Sequence, residues 1–323
     1  MRLGMKRGFA MAFNNLRKLA VFAISAAMIV SLSACGTSEK SDSTASGDSE
    51  SSSNTTGYDV SGVTKDDDIA AMLPESVTKD GKLTVGMDTS YAPAEFLAED
   101  GKTPEGYDVD LAKALAKTLG VKADFISSSF DSIVPSVGSK YDLGITAMTI
   151  TEEREDSVDF VSYYKAGSMW VVKKGNPDKV DAKNLCGTKI AVQVGTPQEE
   201  DANKIKEQCA ADGKAAVEVM PSKQQTDAAT NVVTGKADVF YADSPVAGYA
   251  ISQTDGQLEE LGEVEGTIKQ GIAIKKGDTQ LAEAVQAAMQ HLMDDGTYMK
   301  ILKAWGVESG ALDKAEINPK DLS

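Results

Sequence analysis

The sequence predicts an α/β fold made of two strand–helix units, each with a mainly parallel sheet and helices on its faces. Three observations carry this. Strand and helix patterns alternate between Lys82 and Ile145. The same rhythm restarts after Met169. A long amphipathic helix, residues 279–293, follows near the C-terminus.

Residues 82–87 (Lys-Leu-Thr-Val-Gly-Met) alternate apolar and polar as a strand does. Residues 108–119 read as a helix: Val109, Ala112, Leu115, Ala116 and Leu119 share a face, Asp108 is placed to cap the start, and Gly120 follows the end. A strand at 122–126, a helix at 131–137 and a strand at 141–145 complete the first unit. In the second, strands are expected at 170–172, 189–194, 217–220 and 238–242, with helices at 197–211 and 223–233. A strand at 270–274 precedes the long helix, and Asp294-Asp295-Gly296 breaks that helix before a last one at 298–304. This rhythm does not say which unit the C-terminal helices join.

The N-terminus predicts the compartment. Arg2, Lys6, Arg7, Arg17 and Lys18 form a basic stretch without acids, followed by an uncharged, mostly apolar run from Leu19 to Leu32. That run is shorter than the roughly 20 residues of a membrane-spanning helix. It ends in Leu32-Ser33-Ala34-Cys35-Gly36, so the layout is that of a secretory signal over 1–34. The Cys directly after small residues resembles a bacterial lipobox, which implies lipidation at Cys35. Residues 35–57 are almost wholly Ser, Thr, Asp, Glu, Gly and Lys after that Cys, too polar to offset ordering entropy by burial. They are expected to form a tether. One acyl chain holds a membrane only marginally; lipobox proteins place several on one Cys. The expected location is the extracellular face of the bacterial cytoplasmic membrane.

The formal charge is −16, and five of the cations lie in the signal stretch, so the remainder is more acidic still. Such a surface repels nucleic acid and anionic headgroups. Besides Cys35, only Cys186 and Cys209 are present. Two Cys in an exported chain suggest a disulfide, the alternative being two separate buried thiols. The single His, His291, lies in a helical pattern, so no metal site is expected and no cofactor is called for. The sequence has no Gly-rich, Lys-Ser/Thr phosphate loop, so any ATP hydrolysis belongs to a partner.

Four segments bear on function. They are Val85-Gly86-Met87-Asp88-Thr89-Ser90-Tyr91-Ala92-Pro93-Ala94-Glu95-Phe96, Gly106-Tyr107-Asp108-Val109-Asp110-Leu111-Ala112, the stretch Tyr141 to Arg154 ending Thr149-Ile150-Thr151-Glu152-Glu153-Arg154, and Asp238-Val239-Phe240-Tyr241-Ala242-Asp243. In this order and spacing, behind a lipobox, the chain resembles the family 3 extracellular solute-binding proteins, which bind amino acids for ABC importers. The resemblance runs from about Lys82 to Gly306. It implies a periplasmic-binding-protein-like (class II) fold of two lobes joined by two hinge strands, with the ligand between them: lobe 1 as 58–167 plus 265–323, lobe 2 as 168–264. It also implies a monomer whose partners are an amino acid, a permease and its ATPase.

The resemblance assigns roles that chemistry makes sensible. Arg154 is placed to grip an α-carboxylate, since a guanidinium meets two carboxylate oxygens with two parallel hydrogen bonds. The plain alternative is a surface Arg paired with Glu152 or Asp156. Asp243, after a short apolar strand, corresponds to the acid that binds an α-ammonium; otherwise it would cap the helix opening Ser244-Pro245. Thr149 and Ala147 match positions that meet the ligand backbone. Tyr91 and Phe130 match aromatic walls around the side chain, the alternative being core packing. Asp88 matches a polar contact to the ligand's tail, leaning toward a polar or cationic one, the alternative being a turn cap. Thr196 and Gln198 lie at a helix start whose free amides attract carboxylates.

Two positions depart from the family. Pro197 stands where many members offer a backbone amide, which Pro lacks. Ala94 stands where Phe is usual. A sensory or adhesive lipoprotein and a dehydratase-like enzyme are the competing readings on the same fold. Against the enzyme, the chain shows no nucleophile-plus-His arrangement.

Overall fold

The computed structural model describes residues 57–323. The signal stretch, Cys35 and nearly all of the tether lie outside the described residues. Two short helices, α1 (Asp67–Ala70) and α2 (Glu75–Thr78), lead into β1 (Lys82–Met87). Then β2 (Ser90–Tyr91), β3 (Glu95–Leu97) and β4 (Pro104–Glu105) form a small antiparallel sheet. They are followed by α3 (Tyr107–Thr118), β5 (Lys122–Ser127), α4 (Ile133–Ser136), β6 (Leu143–Gly144) and α5 (Glu152–Glu155). A 16-residue strand, β7 (Val158–Lys173), leads to β8 (Lys189–Gln193), α6 (Pro197–Ala211), β9 (Glu218–Ser222), α7 (Gln225–Val233), β10 (Val239–Asp243) and α8 (Ser244–Gln253). An 18-residue strand, β11 (Leu258–Lys275), returns to α9 (Thr279–Asp294) and α10 (Thr297–Trp305).

The main sheet has the order β5-β1-β6-β11-β7-β10-β8-β9. At one end β1 is parallel to both neighbours, and at the other β8 is parallel to β9 and β10. Between them β7 and β11 run antiparallel along nearly their whole length, from Leu258–Lys173 to Lys275–Val158. This two-stranded ribbon joins two lobes. Its register shifts three times, between Leu261 and Glu265, Glu265 and Ile268, and Gln270 and Gly271. Each shift bends and twists the ribbon locally.

The larger apolar core joins Val85 and Met87 of β1, Leu111 and Leu115 of α3, Val285 and Met289 of α9, and Ile301 and Leu302 of α10. Fully burying each such side chain contributes about 1.5–3 kcal/mol. The amphipathic C-terminal helices thus pack on α3 of the first lobe, which sequence rhythm left open. The second lobe has its own core of Val172, Ile190, Val192, Ala202, Val217 and Val239, with Trp170 stacked on Tyr241 at 3.6 Å between ring centres. Cys186 and Cys209 form a disulfide there, with Cα atoms 5.6 Å apart. It ties the loop before β8 to the end of α6.

Several expectations change in detail. The helix at 108–119 starts at Tyr107 with Gly106 at its N-cap, and Asp108 caps nothing: its carboxylate is buried and accepts the Ala147 N–H and the Tyr163 hydroxyl instead. Gly106 has φ +132°, and a Cβ there would lie 2.0 Å from the Ala94 carbonyl oxygen, so only Gly fits this close approach. The helix expected at 131–137 is a 3-10 turn followed by the four-residue α4. The strands expected at 170–172 and 270–274 are only the ends of β7 and β11. No helix of the described residues is long and apolar enough to cross a membrane.

Candidate functional site

The residues singled out in the sequence gather where β1, β8 and β10 end and where the two lobes meet. This is the end of a parallel sheet at which ligand-binding groups commonly sit.

Arg154 lies on α5, whose first turn is capped by the Thr151 hydroxyl bonded to the Arg154 amide. Its guanidinium bonds to backbone carbonyls rather than to Glu152 or Asp156. One nitrogen donates to the Thr149 carbonyl at 2.6 Å, another to the Gly195 carbonyl at 2.9 Å across the seam between lobes, and the group lies 5.2 Å from the centre of the Phe130 ring. Burial lowers its pKa, while Glu200 and Asp243 oppose that shift.

Asp243 ends β10 and is 5% exposed. It occupies the N-cap position of α8, yet its side chain makes no capping bond. Its two oxygens instead accept from Gln198 Nε2 and from Gln270 Nε2, each at 2.8 Å. Burial pushes its carboxyl up to about 6, opposed by the Tyr91 hydroxyl, Gln198, the charge of Arg154 and Gln270. Gln198 also donates to the Ser168 hydroxyl at 2.8 Å. Thr196 caps α6 by accepting from the Glu199 amide at 3.2 Å, with Pro197 in the first helical position.

Asp88 follows β1 and is 4% exposed. It accepts from the Ser90 amide at 3.1 Å, a turn cap, and also from the Phe130 amide at 3.1 Å and from Gln193 Nε2 at 2.7 Å across the seam. Burial raises its pKa, and these hydrogen bonds oppose the shift. The Gln225 amide makes another bond across the seam, to the Ser90 hydroxyl at 3.1 Å. Tyr91 and Phe130 are both buried. Thr149 pairs with Gln270 through an isolated antiparallel bridge. Ala147 has φ +44°, and its N–H donates to Asp108 at 2.7 Å. Ala94, the second departure from the family, is wholly buried in the main core.

Several residues of the site escaped the sequence reading. Gln193 and Gln270 each hold an acid, and nothing in their local sequence marks them apart from polar strand positions. Beneath Asp88 lies a further network. The Thr146 hydroxyl accepts the Asp88 amide and donates to Glu95 at 2.6 Å. Glu95 and Asp108 are both completely buried. Glu95 Oε2 and Asp108 Oδ1 are buried without a hydrogen-bond partner among the described residues, and burial together with mutual repulsion drives Glu95 well above the ordinary range, while burial pushes Asp108 up to about 7. Two carboxyls so placed share a proton.

The cluster presents one half-buried guanidinium and two buried acids at a seam between two bodies. Such an arrangement can hold a small zwitterion. Among the described residues no group of His, Cys, Asp and Glu side chains has the spacing to hold a metal ion.

The family model of bacterial extracellular solute-binding proteins, family 3, matches residues 83–308. The arginine-binding protein ArgT of Corynebacterium glutamicum is 34% identical over 79% of this chain and 84% of its own length. Among solved structures, an ancestral arginine-binding protein bound to arginine superposes with a TM-score of 0.64 at 36% identity, covering 70% of this chain and 98% of that one. An ancestral amino acid-binding protein, AncCDT-1, described as a precursor of cyclohexadienyl dehydratase, gives 0.65 at 35% identity, over 72% and 98%. The two-lobed architecture, the ribbon of two long strands and the cluster at the seam lead to one assignment: the chain belongs to the bacterial extracellular solute-binding proteins, family 3.

Proposed function

We propose that this chain is a lipid-anchored receptor that captures one free L-amino acid outside the cell and delivers it to an ABC importer. The observation that carries the reading is the pair Arg154 and Asp243, opposite charges at the lobe seam, the guanidinium half-buried and the acid buried. An α-carboxylate on Arg154 and an α-ammonium on Asp243 would satisfy both, and the ligand would then bridge the lobes. Thr149, Ala147, Thr196 and Gln198 line its backbone, Tyr91 and Phe130 wall its stem, and Asp88 meets a polar or cationic tail. The names of the relatives favour amino acids, and arginine among them. The lobes divide on the ribbon, with 168–264 as the second, and their closure is what a permease would sense. The lipobox-like Cys35 and the polar tether support anchoring at the outer face of the cytoplasmic membrane, where the chain acts as a monomer.

Calorimetry on the domain lacking residues 1–35, titrated with the L-amino acids, tests the reading. Replacing Arg154 by Ala should cost several kcal/mol, at least a hundredfold in affinity, because the ligand carboxylate is then buried without its partner. Unchanged affinity would remove Arg154 from the site. Uptake of the bound amino acid by cells lacking the chain separates transport from a purely sensory receptor: loss of uptake supports the importer, unchanged uptake the sensor. An enzyme is the second reading, prompted by the dehydratase precursor among the structural relatives. Against it, both site acids are tied by amides, and His291 sits beside Asp66 and Asp295 on α9.

A further inference from the structure

Gln193 ends β8 and is 1% exposed. Its Nε2 donates to Asp88 Oδ2 at 2.7 Å and to the Lys223 carbonyl at 3.1 Å. A backbone carbonyl has no hydrogen to give, and an ionised carboxylate has none either, so the amide nitrogen must face them and both its hydrogens are spent. The other end of the amide is then fixed. Gln193 Oε1 is buried and has no donor among the described residues. Buried acceptors left without a donor are rare in folded proteins, because each keeps its desolvation cost.

Asp88 beside it takes three donors and no ion partner among the described residues. Carboxylate and amide oxygen together form a patch that can only accept. The arrangement recurs at the other acid. Gln270, also 1% exposed, donates from Nε2 to Asp243 and keeps a buried Oε1 without a donor. Each acid of the site is therefore accompanied by an amide that lends it a hydrogen and retains one unused oxygen.

We propose that Gln193 is a specificity-determining residue: its Oε1, beside Asp88, accepts hydrogen bonds from the end of the ligand's side chain and selects tails that carry only N–H donors. This rests on the reading that an amino acid binds between Arg154 and Asp243. An ammonium or guanidinium tail brings a positive charge to Asp88 and has a spare N–H for Gln193. A carboxylate tail meets two acceptors and cannot bond to either. An amide tail can donate from its nitrogen, but its own carbonyl then faces an acceptor. The two amide–acid pairs together match a ligand with two cationic groups and one carboxylate, the last going to Arg154. Gln193 also spans the seam, so a mere closure contact is the rival role, and the two roles separate by selectivity. A closure contact strengthens every ligand alike, whereas a tail contact strengthens only donor tails.

The test is calorimetry with L-arginine, L-lysine and L-glutamine on the wild type, Gln193→Met and Gln193→Glu, with melting curves as the folding control. The wild type should prefer the two cationic ligands over L-glutamine. Methionine keeps the length and removes the oxygen, so affinity for L-arginine and L-lysine should fall about 10- to 100-fold, as for loss of a hydrogen bond to a charged group. L-Glutamine should lose much less. Glutamate keeps an acceptor, so Gln193→Glu should hold or widen the preference for cationic tails, and it decides the matter if the Met variant does not fold. A wild type that prefers L-glutamine, an equal loss for all three ligands in Gln193→Met, or a narrowed preference in Gln193→Glu overturns the assignment and leaves amino-acid binding standing. A wild type that binds no amino acid at all overturns both.

Discussion

Replacing Glu95 by Gln should stabilise the protein, and by more as the pH rises. Glu95 is completely buried, is repelled by the Asp108 carboxyl and accepts from the Thr146 hydroxyl. In the unfolded chain it titrates near the ordinary value of 4.5. Folding raises its pKa, so above that value the folded chain holds a proton that the unfolded chain has released. Stability from this group is full below 4.5 and drains away as pH climbs toward the folded pKa. Each pH unit in that window costs about 1.4 kcal/mol. Burial and the repulsion from Asp108 set the folded value well above the ordinary one, so the window opens near 4.5 and runs upward from there. Glutamine offers the same shape, an N–H for Asp108 and an oxygen for Thr146, with no proton to hold. As pH rises through that window the variant should therefore gain on the wild type, by up to about 1.4 kcal/mol per unit. Urea denaturation at pH 5, 6 and 7 measures this directly. A difference between variant and wild type that does not change with pH would show that Glu95 holds no proton in the folded state.

The remaining expectations concern the site and its frame. Ligand affinity should fall below pH 6, by up to about tenfold per unit, because the Asp243 carboxyl, pushed up to about 6, must be ionised to hold an ammonium; flat affinity down to pH 5 would take Asp243 out of that role. Reducing the Cys186–Cys209 disulfide, which closes a 23-residue separation, should cost about 3 kcal/mol, and intact mass of the oxidised protein should be two hydrogens below the dithiol form. Small-angle scattering should show a smaller radius of gyration when ligand saturates the domain, and no change at all would speak against closure as the signal.

Local signals made much of this fold legible. Helix α6 was read with its bounds because Thr196 and Pro197 open it and the polar 197–211 pattern has no break. The strands β1, β8 and β10 were found because their apolar runs are short and bounded. The ribbon was not: most of β11 between Glu259 and Lys269 is exposed and acidic, and a strand with no buried face has no apolar periodicity to read. Asp108 looked like a cap because its neighbours in sequence allowed it. Its true partners, Ala147 and Tyr163, lie 39 and 55 positions away. The amides of Gln193 and Gln270 were equally hidden, since an orphaned oxygen exists only once a fold has placed every donor around it.

The two-stranded ribbon has a consequence for the order in which the chain acquires structure. Residue 158 pairs with 275, whereas 173 pairs with 258. Strands β8, β9 and β10 and helices α6, α7 and α8 all lie between the two ribbon strands in sequence, but β6 waits for a sheet neighbour, β11, that the chain supplies more than a hundred residues later. Non-local strand pairing is slow because loop entropy is lost before contacts repay it. During synthesis, the inner segment is therefore complete before the strand that β6 needs has been made. Its own closure brings residues 173 and 258 side by side, and this shortens the effective loop for the outer strands to zip from that end toward 158 and 275.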